Sequence, residues 1–172
     1  MTAPALSKPF ITSRTFDAPR ALVWEVWTKT DHLMRWFGPR GFTAPIARLD
    51  LRPGGGFHFC LRNAQNVEMW GKWVFREVAP PERLVWVHSF SDAQGGVTRH
   101  PMAPTWPLEM LTVVTFTETA DRTTVRLEWT ALNASATEQK TFDDSHGSMN
   151  GGWTGTFDQL EAYLAEVQKG GA

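Results

Sequence analysis

Five histidines and one cysteine carry most of the reactive chemistry of this sequence. The histidines are His32, His58, His88, His100 and His146. None stands in an HExxH motif or another tight spacing that would aim two imidazoles at one metal ion. Cys60 is the sole cysteine, which excludes an intrachain disulfide and a cysteine zinc site. It alternates to the face opposite Phe59, as a sheet-face residue would, and nothing around it marks a low-pKa thiolate. No serine sits in GxSxG, and no carboxylate pair stands out. His146 lies between Phe142 and Met149 on an apolar stripe, and His88 shares a strand phase with Trp86 and Phe90. The ordinary expectation for His146 is a hydrogen-bonded core histidine. The sharper one is a polar anchor at the end of a cavity. Two inward histidines could hold a ligand's carboxylate or carbonyl, or act as general acid and base.

The stretch LRPGGGFHF at 51–59 raises a second chemistry, phosphate binding. A phosphate loop needs its glycines to open a helix, whose N-terminus supplies free N–H groups and a favourable dipole. Here the glycines lead into FHFCLR, which alternates as a strand, and no GK[ST] follows. The run is therefore expected to be a tight turn, with glycine supplying a positive φ. Asp50 with Arg52, and Arg83 further on, are expected to tie down turn backbone.

These groups must be positioned by the elements around them. Asp17 is a plausible cap for a helix through Val23, Trp24 and Trp27, with Pro19 in its first turn. Thr30 is a plausible cap for a second short helix that ends at GPRG. From about residue 42 the hydrophobic period becomes two. Phe57, Phe59 and Leu61 form one set, and Val67, Met69, Trp73 and Phe75 the next. Leu108, Met110, Val114 and Phe116 form another, and Val125, Leu127 and Trp129 the last. ERLVWVHSF is apolar in both phases, so its facing stays open. The pattern is that of antiparallel strands with one buried face. Phe142, His146, Met149, Trp153, Phe157, Leu160, Leu164 and Val167 then recur at steps of three and four, which predicts one long helix over about 137–168. Gly147, Gly151, Gly152 and Gly155 fall off that stripe, so they are not expected to make room on the sheet side but to allow close packing on another side or leave the stretch soft. One helix cannot seal the concave face of a strongly curved sheet, so a gap is expected between them. The long connection 91–107 could place Met102 and Trp106 over the mouth of that gap.

The composition narrows the function classes. The 172 residues are 42% hydrophobic and 20% charged, which suits a folded domain with a sizeable core. A net charge of −1 argues against a nucleic-acid or anionic-membrane surface. No apolar run approaches the roughly 18 residues of a membrane span. MTAPALSKPF lacks the apolar stretch of a secretory signal, so a cytoplasmic location is expected and the sequon at Asn133-Ala134-Ser135 is read as chance. Nine tryptophans against one tyrosine point to a large aromatic core or to an aromatic-lined cavity.

Six stretches together carry a family resemblance: RTFDAPRALVWEVWT, LMRWFGPRGF, LDLRPGGGFHF, PPERLVWVHSF, WPLEMLTVVTF and SMNGGWTGTFDQLEAYLA. They span about 14–165, and the chain resembles the START-like (SRPBCC) superfamily, in particular bacterial proteins related to the C-terminal domain of the heat-shock-protein ATPase activator. The resemblance implies an α+β helix-grip fold. In it a curved antiparallel sheet of about six to seven strands wraps a long C-terminal helix, with two short helices after strand 1. One domain over 1–172 is expected, with its core at about 10–168. That fold carries ligand carriers, cyclases, hydroxylase subunits and co-chaperone domains, so it does not imply one function.

The leading expectation is a small-molecule binding protein that holds an apolar or aromatic ligand between sheet and helix. The residues expected around that ligand are Phe59, Met69, Trp73, Trp86, His88, Met110, His146, Met149 and Trp153. No cofactor, metal or catalytic residue is assigned, and a homodimer is compatible with the sequence. A co-chaperone-like regulator of a chaperone ATPase is the alternative, and an enzyme of the cyclase or hydrolase type ranks third.

Overall fold

Alternation at period two places the large aromatic side chains of consecutive strands on one face, and that face curls around a helix. The computed structural model describes residues 8–170. In chain order the elements are β1 (Phe10–Phe16), α1 (Arg20–Thr28), α2 (Thr30–Trp36), β2 (Phe42–Leu49), β3 (Gly56–Asn63), β4 (Glu68–Ala79), β5 (Arg83–Ser91), β6 (Val97–Thr98), β7 (Glu109–Thr119), β8 (Arg122–Leu132), α3 (Ala136–Asp144) and α4 (His146–Gly170). Seven strands form one curled antiparallel sheet in the order β1-β8-β7-β5-β4-β3-β2, and the two-residue β6 pairs with the end of β5. No helix among the described residues is long and apolar enough to cross a membrane.

Register shows which side chains share the concave face. Phe57 pairs with Trp73, Trp73 with His88, and His88 with Met110, so these four form one row across β3, β4, β5 and β7. A second row runs Phe75, Trp86, Thr112, Trp129 and Phe10. The open facing of ERLVWVHSF is thereby settled. Trp86 and His88 point toward the helix, while Val85 and Val87 lie on the other face and are also buried. Val67 and Leu108 do not join their expected sets; both lie outside the strands and are exposed.

The C-terminal stripe packs as expected, with Phe142, Met149, Trp153, Phe157, Leu160 and Leu164 all buried. It is carried by two helices rather than one. Ser145 interrupts it at φ −98 and ψ 2, its N–H donating to Phe142 O and its hydroxyl donating 2.6 Å to Thr141 O. A serine hydroxyl that bonds back to the preceding turn competes with the helix ladder, and this one ends α3. α3 also has its own start signal, a capping box between Ser135 and Glu138. The two short helices likewise begin without the expected caps. α1 starts after Pro19, whose carbonyl accepts from Leu22 and Val23, while the Asp17 side chain is exposed. Lys29, not Thr30, is the boundary residue of α2.

The glycine run is a turn between β2 and β3, and its three glycines serve different ends. Gly54 has φ +84, in the region that favours glycine. A Cβ on Gly55 would stand 2.3 Å from Asp50 O, and one on Gly56 would stand 2.4 Å from Trp73 O. The turn is pinned to β4 by Gly54 N–H to Phe75 O and Phe75 N–H to Gly55 O, each 2.8 Å. Arg52 closes on Asp50 at 2.9 Å, and Arg83 pairs with Glu77 on the neighbouring strand. Both pairs are exposed and add little stability.

These environments predict opposite outcomes for one substitution. Gly56→Ala forces backbone apart and is expected to cost about 1–3 kcal/mol, as overpacking does. A Cβ on Gly147 meets nothing within 4 Å in the helix. Gly147→Ala is therefore expected to add about 0.5–1 kcal/mol of stability. Urea unfolding of the two variants beside the parent checks both signs.

Candidate functional site

The concave face is filled unevenly. α1 and α2 press Trp27, Leu33 and Trp36 into one end, where Trp27 lies 4.9 Å from Trp36 and 6.5 Å from Trp86. At the other end the first turns of α4 face the sheet across a partly open, apolar cavity of about 210 Å³. Its floor is Phe59, Trp73, Trp86, His88 and Phe90, and its helical wall is Met149, Gly152, Trp153 and Thr156. Phe37, Gly38 and Pro39, which join α2 to β2, form part of the rim.

Each wall has a local cause. Trp73 and Trp86 come from neighbouring strands and stack at 3.9 Å and 16°. Phe57 and Phe59 stack at 4.9 Å, and Phe37 meets Phe59 edge-on at 5.0 Å. Gly71 makes this possible, because a Cβ there would stand 2.6 Å from Cζ of Phe59. The Phe59 ring lies against bare backbone instead of standing in the cavity. The rim is held by Gln159, whose side-chain amide donates to Gly38 O. Gly38 itself has φ +119. Just outside, Asp158 of α4 accepts from Arg14 and Arg40, each at 2.8 Å. Those guanidinium groups, Arg14 foremost, hold its carboxyl below the usual range.

Seven of the nine expected residues surround the cavity: Phe59, Met69, Trp73, Trp86, His88, Met149 and Trp153. Met110 and His146 do not. Met110 is packed into the core beside His88, 1% exposed, and stands outside the lining. His146 opens α4 with its ring between Phe10 at 5.7 Å and Phe142 at 5.3 Å, and its Nε2 is buried with no partner. It is thus neither the cavity's anchor nor a core histidine hydrogen-bonded at that nitrogen. The 91–107 connection does not cover the mouth. Met102 extends into solvent at 88% exposure, and Trp106 packs on Phe142 of α3 at 5.9 Å. Sequence reasoning missed Phe37, Gly71, Phe90, Trp129 and Gly152. Gly71 had a readable signal, a glycine in the inward phase of a strand between Met69 and Trp73.

No charged side chain lines the cavity. His88 is its only titratable group, and the part of His88 left uncovered faces the cavity. Burial pushes the His88 pKa down to about 4, so its imidazole is neutral at pH 7. The Thr156 hydroxyl is already committed, donating 2.9 Å to Gly152 O. Cys60 lies in the outward phase of β3, and burial pushes its thiol up to about 11, which leaves it protonated and unreactive. Among the described residues no three His, Cys, Asp or Glu side chains gather to hold a metal ion. The site can shield a flat apolar body from water and offer it neutral polar groups only, with His88 both a donor and an acceptor among them.

A buried neutral histidine carries a stability signature. Its folded pKa, about 4, lies below the unfolded value near 6.5. Between these values the unfolded chain binds the extra proton, so stability falls as pH drops through that window. His88→Phe is expected to remove about 3 kcal/mol of the acid-induced loss between pH 6.5 and pH 4. Urea titrations of parent and variant across that range, read as the difference in slope, check it.

No curated protein is significantly similar to the chain in sequence. Solved structures share its fold. A protein from Nitrosomonas europaea is 24% identical with a TM-score of 0.73, over 94% of this chain and 96% of that one. An Arthrobacter aurescens protein is 21% identical with a TM-score of 0.76, over 96% and 93%. A Silicibacter pomeroyi protein described as AHSA1 is 18% identical with a TM-score of 0.69, over 93% and 99%. The family model described as activator of Hsp90 ATPase homolog 1-like protein matches residues 17–165. With its curled sheet gripping a C-terminal helix, the chain belongs to the activator of Hsp90 ATPase homolog 1-like family, within the START-like superfamily.

Proposed function

We propose that this protein binds a small aromatic ligand in the cavity between the sheet and α4. The observation that carries this reading is the lining, which joins aromatic and aliphatic side chains to one unpaired neutral imidazole. Mostly apolar pockets with a few placed polar groups are the usual form of small-molecule sites. Size supports a compact ligand. A dry cavity of about 150 Å³ takes benzene, and drug-sized sites begin near 300 Å³. At about 210 Å³ with one open side, this cavity suits one or two fused rings. The lining holds no cysteine, serine or carboxylate pair, which supports a reading as carriage or sensing.

The test uses N-phenylnaphthylamine, an uncharged probe whose emission rises in apolar surroundings. A Cβ on Gly152 meets nothing within 4 Å, yet the residue lines the cavity. Gly152→Leu is therefore expected to fill the cavity and weaken probe binding at least about tenfold, the worth of a lost apolar contact of some 1.4 kcal/mol. The fold should survive, since leucine is the better helix former. Undiminished binding in the variant would place the probe elsewhere and remove the reading. A chaperone-regulating role is the second reading, supported by the family's description. Stimulation of a chaperone ATPase that Gly152→Leu leaves untouched would favour it.

A further inference from the structure

We propose that the cavity selects uncharged aromatic ligands bearing one hydroxyl or carbonyl group, which pairs with His88, and that it rejects carboxylates of the same size. This rests on the ligand-binding reading above and specifies its chemistry.

The polar inventory of the lining is short. His88 stands in the middle of the concave face, between Trp73 and Met110 in register. Its ring neighbours are Phe90 at 6.3 Å and Trp129 at 5.6 Å. The groups facing it from β4, β7, β8 and α4 are Trp73, Met110, Trp129, Met149 and Trp153, and none of them titrates. A neutral imidazole presents one N–H donor and one nitrogen acceptor. A ligand hydroxyl can meet either, and a carbonyl can accept from the N–H.

A carboxylate needs a cation or several donors when it leaves water. The nearby cations are committed elsewhere. Arg40 lies outside at the rim and is paired with Asp158. Lys72 is in the outward phase of β4 and donates to Gly95 O. The remaining route is protonation of His88. With its pKa near 4, that step is disfavoured roughly a thousandfold at pH 7. The indole N–H groups of Trp86 and Trp129 are fully covered, and those of Trp73 and Trp153 are single neutral donors that leave a carboxylate's charge unpaired.

Three ligands of one shape separate these terms: naphthalene, naphthol and naphthoate, titrated at pH 7 by calorimetry and tryptophan emission. Naphthol is expected to bind about tenfold tighter than naphthalene, the worth of one hydrogen bond made in an apolar site. Naphthoate is expected to bind at least about a hundredfold more weakly than naphthol, the buried unpaired charge being the cause. His88→Phe should bring naphthol and naphthalene to about the same affinity, and His88→Gln, which keeps a donor and an acceptor, should restore part of the gap. Naphthoate binding as tight as naphthol, or a naphthol preference that survives in His88→Phe, overturns the inference and leaves the ligand-binding reading intact. If none of the three binds the parent protein, the ligand-binding reading falls and this inference with it.

Discussion

Trp153 is the side chain on which the rest of the molecule depends. It stacks on Trp27 of α1 at 6.3 Å and 10°, meets Trp129 of β8 edge-on at 5.7 Å, and rests on Phe157 one turn along at 5.4 Å. One indole thus joins the N-terminal helices, the sheet and the C-terminal helix. One part of it belongs to the core and another to the cavity lining. Beyond it toward Leu160 and Leu164, the space under the sheet is filled by Trp27, Leu33 and Trp36. In the opposite direction α4 offers Met149 and a series of glycines, and the space stays open. The cavity's position follows from where the two short helices insert their tryptophans.

The parts of this arrangement that are periodic could be read from the sequence. Period-two sets predicted the row through Phe57 and Trp73 but left the facing of Trp86 open, and steps of three and four predicted the stripe through Trp153. Those patterns report which face a residue occupies, not how far along that face the filled core ends. Met110 shows the difference. It shares its face with His88, but sits where packing is complete, so phase alone misplaced it. His146 failed for another reason. A serine hydroxyl bonding back to Thr141 breaks the helix just before it, and that local competition is invisible to a hydrophobic stripe that continues undisturbed from Phe142 to Met149. The rim residues Phe37 to Pro39 lie in a connection with no period, where tertiary contacts such as the bond from Gln159 and the packing of Phe37 on Phe59 set position.

Charge is arranged to keep out of the cavity while tying down its edges. Arg14 on β1 and Arg40 after α2 both reach Asp158 on α4, and Arg14 also reaches Glu161 at 3.2 Å. These groups remain solvated, so they cost little and contribute mainly geometry, holding helix, sheet and rim connection in register. The inner surface carries instead a histidine held neutral by burial. A neutral polar group costs far less to bury than an ion, yet it still discriminates among ligands by hydrogen bonding.

The open space is itself informative. Protein interiors pack to crystal-like density, and unfilled volume costs about 24 cal/mol per Å³. This cavity, about 210 Å³ and open on one side, carries such a cost only for its enclosed part. Filling it needs little. Gly152 has no positive φ and no neighbour that a Cβ would strike, and an alanine or leucine there would favour the helix. Neither backbone conformation nor close packing explains this glycine. Gly71 differs, since it is required to let Phe59 lie flat, but the effect is the same: a ring is kept out of the space instead of filling it. Two glycines on opposite walls thus maintain a gap that ordinary side chains would close. A domain shaped for stability alone would have closed it, and a bound aromatic body would recover the lost dispersion and hydrophobic energy on each occupancy.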